Sequence, residues 1–178
     1  MTQSLGLEEA LDIAMDAELK AAAFYAQAAV EVQHPQGRDL LGRLAAFEQH
    51  HYVQLSELLE SLQATGDFVE YEGQTVADFQ PLDEPAQQPA SSVSGGEAAG
   101  TRVRDLENVA SILSQAIANE KLAGERYRAL AEGTSDSIGQ DMFRKLANEE
   151  QMHQHILEDE FFSISNQGTW GWSGMYGE

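Results

Sequence analysis

The sequence predicts an all-α protein, an antiparallel four-helix bundle made from one helical hairpin given twice. Three observations carry this. Apolar residues return at helical spacing through four segments. Pro- and Gly-containing breaks divide those segments into two pairs, with a short turn inside each pair and a long connector between them. The pairs are also copies: at a fixed offset of 102 residues and without a gap, Leu11/Leu113, Ala14/Ala116, Glu18/Glu120, Ala21/Ala123, Tyr25/Tyr127, Ala29/Ala131, Gly37/Gly139, Asp39/Asp141, Leu44/Leu146, Glu48/Glu150, His51/His153 and Leu55/Leu157 are identical. A duplicated hairpin closes a four-helix bundle about an internal pseudo-twofold axis.

The first helix is read from Leu7, Leu11, Ala14, Ala21, Tyr25, Ala28 and Val32, with Ser4 as its expected cap and His34-Pro35-Gln36-Gly37 as its stop. The second carries Leu41, Leu44, Leu55, Leu58 and Leu62 on one stripe and fades at Thr65-Gly66. A turn this short makes the two antiparallel neighbours, giving a hairpin over residues 5–64. Residues 65–103 read as a connector, holding three of the four prolines and a Ser/Gly run before Gly100. The third helix follows Leu106, Val109, Leu113, Ala116, Ala123, Tyr127 and Leu130. Ser137 and Gln140 offer a capping box for the fourth, which carries Phe143, Leu146, Leu157 and Phe161. The second hairpin thus spans 104–162, and 163–178 is a Gly-rich tail whose Trp170 and Trp172 are expected to dock on the parent surface. All of this is one domain.

Composition narrows the function. Thirty Asp and Glu against ten Lys and Arg give a formal charge of −20, which repels phosphate backbones and anionic headgroups, so neither nucleic acid nor a membrane surface is an expected partner. Without cysteine there is no disulfide, thiolate zinc site, iron–sulfur cluster or four-thiolate iron centre. The acidic start lacks the form of a signal peptide, and the expected location is cytoplasmic.

Six residues break the four apolar stripes: Glu18 on the first, Glu48 and His51 on the second, Glu120 on the third, Glu150 and His153 on the fourth. In each Glu-x-x-His the carboxylate and imidazole share a helix face. The lone Glu of each hairpin precedes the motif Glu by thirty residues, a spacing that levels them once the helices fold back. Burying four ionised carboxylates together costs several kcal/mol each unless they are neutralised. No Lys or Arg lies on these stripes near them. The carboxylates must be protonated or neutralised, and two divalent cations are the simplest source of the charge. An oxygen–imidazole donor set suits iron or manganese and, less specifically, zinc, while a proton-sharing polar core without metal is the alternative. A third Glu-x-x-His, Glu31 to His34, abuts Pro35 off the stripe and reads as a solvated helix end. Tyr25 and Tyr127, seven residues after Glu18 and Glu120 on the same face, are candidate second-shell residues for hydrogen-bonding a ligand carboxylate or relaying an electron. His50 and His155 turn away from the six, Asp39 and Asp141 belong near helix starts, and Met15, Met142 and Met152 read as packing.

A Glu on one helix and Glu-x-x-His on the next, given twice, resembles the ferritin-like dinuclear carboxylate proteins, and the Glu-to-Tyr spacing with the clean duplication is most similar to rubrerythrins. The resemblance covers the two hairpins. It implies that Glu48 and Glu150 bridge two metals, that Glu18 and Glu120 are terminal ligands, and that His51 and His153 bind one metal each. It implies a diiron centre reducing hydrogen peroxide or dioxygen, in peroxidase or ferroxidase chemistry, with an unidentified electron donor. An iron-binding or storage role and a dimanganese catalase-like centre are the alternatives. The chain departs from the rubrerythrin pattern in having Ala123 where a further Glu is usual, and no rubredoxin module. The Gly-rich tail offers no fifth helix, and Gln49 stands where a haem-binding Met would be. The length of the connector suggests a homodimer, in which two chains could exchange hairpins.

Overall fold

The computed structural model describes residues 6–75 and 98–172, with the side chains of the third helix from residue 108 onward. Four helices follow one another: α1 Leu7–Glu31, α2 Pro35–Thr65, α3 Ala98–Gly133 and α4 Ser137–Gln167. α1 packs along α2 and α3 along α4, and the two hairpins approach each other most closely through α1 and α3. The architecture is the predicted all-α four-helix bundle.

Several boundaries differ from the sequence expectation, each for a local reason. Ser4 lies outside the described residues, and the residue at the start of α1 is Gly6. Pro35 begins α2 rather than ending α1, because a proline at the first helical position lacks only an N–H that the helix could not use. α3 starts at Ala98, inside the span read as connector. α4 is capped by Asp136, not Ser137: its carboxylate accepts from Ile138 N at 2.8 Å and Gly139 N at 3.0 Å. Gln140 turns back to donate to Thr134 O at 2.7 Å instead of completing a capping box. The same helix runs past the expected end at residue 162 to Gln167.

The duplication continues beyond the helices. α2 and α4 both end on a glycine in the left-handed region, Gly66 with φ 80° and Gly168 with φ 67°, whose N–H groups bond Leu62 O and Ile164 O at 3.0 Å. Ser61 Oγ then donates to Asp67 O, and Ser163 Oγ to Thr169 O, both at 2.9 Å. Phe68 and Trp170 follow, again 102 residues apart, and each lays its ring on a glycine near the start of the other hairpin's second helix. A Cβ on Gly139 would stand 2.3 Å from the Phe68 ring, and one on Gly37 would stand 2.3 Å from that of Trp170. Trp172 is buried, donating from Nε1 to Asp39 at 3.1 Å and accepting at its carbonyl from Gln36 at 2.6 Å. The start of the connector and the start of the tail are therefore the same arm, repeated, and both Trp residues dock on the parent protein.

Two apolar clusters fill the interior. One gathers Tyr25, Leu40, Leu44, Leu113 and Leu157 with Trp172, the other Leu11, Leu55, Leu58, Tyr127, Phe143 and Leu146. Each draws on all four helices. Between them lies the polar level set by Glu18, Glu48, His51, Glu120, Glu150 and His153.

Candidate metal centre

All six of these residues are 2 % exposed or less. Helical register explains the convergence. Glu48 and His51 are one turn apart on α2, as are Glu150 and His153 on α4, while α1 and α3 bring one carboxylate each to the same depth. His51 Nδ1 lies 3.1 Å from Glu150 Oε1, 3.4 Å from Glu48 Oε2 and 3.7 Å from Glu18 Oε2. His153 Nδ1 lies 3.4 Å from Glu120 Oε2 and 3.5 Å from both Glu48 Oε1 and Glu150 Oε2. The two imidazoles stack with centroids 5.7 Å apart. Donor atoms of Glu18, Glu48, His51 and Glu150 fall within 4.8 Å of one another, and so do those of Glu48, Glu120, Glu150 and His153. Glu48 and Glu150 belong to both sets.

Protons share the charge within this cluster: burial acts downward on His51 and His153, but Glu150 beside the first and Glu120 beside the second hold both imidazoles well above their ordinary range. Glu48 is pushed up to about 7, by burial first and then by Glu120. Burial and the neighbouring Glu48 also drive Glu150 well above the carboxylate range. On Glu18, burial acts upward but is outweighed by the neighbouring His51 and Glu48 and by the hydrogen bond from Tyr127, leaving it at about 2. Glu120 is likewise lowered, with His153 outweighing burial. Four carboxylates at this depth cannot all ionise against one another. Among the described residues, Glu48 Oε1, His51 Nδ1, Glu120 Oε2 and both oxygens of Glu150 are buried without a hydrogen-bond partner. Carboxylate and imidazole atoms that converge this closely form a donor set for divalent cations, which would take the place of the shared protons. The residues present fit two such ions.

The family supplies an independent observation. Its sequence profile, rubrerythrin, matches residues 1–59 and 111–167. The chain belongs to the rubrerythrin family. Each matched segment carries one hairpin's three cluster residues, Glu18, Glu48 and His51 in the first and Glu120, Glu150 and His153 in the second, and the stretch between them is outside the match. A hypothetical protein from Pyrococcus furiosus has a similar solved structure, with a TM-score of 0.67 at 23 % identity, covering 93 % of this chain and 94 % of that one. No curated protein matches.

Within this rubrerythrin the tyrosines cross over. Tyr25 donates to Glu120 and Tyr127 to Glu18, each reaching the opposite hairpin. Burial, then the carboxylate each one faces, holds both phenols well above their ordinary range, so they remain donors. Glu31 and His34 are exposed and far along α1 from the six; the His34 ring stacks on Trp170. His155 is exposed, and His50 is partly buried beside Tyr71. Asp39 pairs with Arg43 and Asp141 with Lys145. Met142 is buried, while Met15 and Met152 pack at the edge.

One residue of the site was missed in the sequence. Glu149 is buried and faces His51 Nε2 at 2.9 Å, on the side of the ring away from the other carboxylates. It also accepts from Tyr71 OH at 2.6 Å and from Gln74 N at 2.8 Å. Burial would raise it, but these bonds, His51 first, hold it below the usual range. The available signal was a mismatch in the repeat: position 149 is an acid where its counterpart is Phe47.

A cavity of about 210 Å³ opens between α1 and α3 and reaches Glu18, Glu48, Glu120 and Glu150, with Ala21 and Ala123 beside them. At its rim stand Lys20 and Arg126. Among the described residues no helix is long and apolar enough to cross a membrane.

Proposed function

We propose that this rubrerythrin holds two iron ions at the six-residue cluster and uses them to reduce hydrogen peroxide or dioxygen, with electrons from a separate donor. The observation that carries this reading is the pair of overlapping quartets: Glu48 and Glu150 are positioned to bridge, while Glu18 with His51 and Glu120 with His153 each complete one ion's set. Two iron(II) ions held there would each give one electron to cleave a peroxide O–O bond, and the separate donor would return both. The chain's own residues do the rest. The carboxylates and Nδ1 atoms fix the ions, and Tyr25 and Tyr127 orient Glu120 and Glu18 through hydrogen bonds. The apolar clusters close the site along the bundle axis on either side. The cavity beside Ala21 and Ala123 offers a small oxidant a way in, where a bulkier side chain would fill the space. Manganese suits the same donors.

The test is the metal content of natively isolated protein, followed by its optical spectrum before and after peroxide. Two irons per chain and a ferric band that grows on adding peroxide are expected. A protein that stays ferrous and colourless would sink the redox reading. Glu150→Ala removes a bridge and should bring the stoichiometry from two metals per chain to one or none; unchanged stoichiometry would refute the ligand assignment.

A further inference from the structure

The pseudo-twofold that organises the metal centre fails at one position in contact with it. Behind His51, on its Nε2 edge, sits Glu149 at 2.9 Å. The position 102 residues earlier is Phe47, which sets its ring edge-on to His153 with centroids 5.3 Å apart and planes at 83°. An aromatic ring cannot accept a proton's hydrogen bond as an anion does. The two imidazoles therefore stand in different chemical surroundings, although their Nδ1 atoms face the carboxylates in the same way.

Glu149 is itself held from outside the family's matched segments. Tyr71 OH donates to its Oε2 and Gln74 N to its Oε1. Gly73 makes the turn between them with φ 82°, and Lys145 Nζ donates to Tyr71 O at 2.6 Å, tying the arm to α4. Three donors thus converge on one carboxylate, fixing both of its oxygens. A carboxylate so fixed keeps the proton of His51 on Nε2, leaves the Nδ1 lone pair pointing at the cluster, and makes that nitrogen a stronger donor.

We propose that Glu149, clasped by Tyr71 and Gln74, is a positioning residue for the metal bound by His51, and that it acts on that metal position and not on the other. This rests on the reading of the six residues as a dinuclear centre. It goes beyond that reading in assigning the first arm a part in the centre.

The experiment strips the full-length chain with a chelator and reloads it with Co(II), following the visible bands and the heat of binding. Wild type should take up two ions per chain in two distinguishable steps. His51→Ala identifies the step at His51 by removing it, and His153→Ala identifies the other. Glu149→Gln should weaken the His51 step by about 10–100-fold and leave the other within about threefold. Tyr71→Phe removes one donor to Glu149 without changing shape and should weaken the same step by a smaller factor; it carries the test if circular dichroism shows that Glu149→Gln does not fold. Two bound Co(II) ions with both steps unmoved, or both weakened alike, would overturn the proposal while leaving the dinuclear centre intact. A wild-type chain that binds no Co(II) would overturn the centre and the proposal together.

Discussion

Tyr25 and Tyr127 tie the two hairpins together at the level of the site, because each donates to a carboxylate that the other hairpin carries. A hydrogen bond to a charged group contributes about 1.5–3 kcal/mol, and its loss here leaves a buried carboxylate with one donor fewer. Tyr25→Phe should therefore lower the melting temperature by about 3–10 °C, and Tyr127→Phe by a similar amount, since a kcal/mol is worth roughly 2–4 °C in a chain of this size. Thermal melts followed by circular dichroism measure both; two unchanged melts would show that these bonds contribute nothing net. The tyrosines were legible in the sequence because they share a helical face with Glu18 and Glu120, but the crossing was not, since periodicity orders residues along one helix and says nothing of which neighbour a hydroxyl reaches. The six cluster residues were legible for a stronger reason: each is a charge on an apolar stripe, and each is repeated. Glu149 escaped because it is next to Glu150 in the chain, where one of two adjacent acids normally faces water. Its surroundings are made by Tyr71, which no local pattern places there.

The two arms work as reciprocal plugs between helices. Phe68 follows α2 and fills the space over Gly139 on α4, and Trp170 follows α4 and fills the space over Gly37 on α2. Neither glycine has a positive φ, so the requirement is for room and not for backbone freedom. Gly37→Ala should force Trp170 and Val32 aside at a cost of about 1–3 kcal/mol, and Gly139→Ala should do the same to Phe68. Chemical denaturation gives the magnitude for each. Trp fluorescence separates them: only Gly37→Ala should shift emission to longer wavelength as Trp170 meets solvent, and a shift of equal size in both variants would count against the plugs. The glycine pair is among the identities at the 102-residue offset. Its aromatic partners are not, because Phe and Trp fill the same kind of space with different letters. The late end of α4 has a similar cause: Ser163, Asn166 and Gln167 break the apolar stripe, yet the Gly168 cap and the docked arm hold the last turn in place.

At the scale of the molecule, both apolar clusters are shared by both hairpins, and the site between them takes three residues from each. The described residues of the two clusters and of the site all come from the two hairpins and the arms that follow them. A chain carrying an engineered protease site in the link between residues 75 and 98 should stay as one particle on gel filtration after cleavage, and should still bind its metals; separation into two halves under native conditions would show that the link holds the bundle together. This overall plan was the most legible part, because a duplicated hairpin with short turns and a long link has few ways to bury its stripes. The link matters in another respect. In a symmetric pair of identical hairpins any change of residue is made twice, once beside each metal, and the two positions stay alike. Encoding both hairpins in a single chain frees each from the other, so one half can take an acid at position 149 while the other keeps a phenyl ring at 47. Joining the copies is what lets a mirrored centre acquire a left and a right.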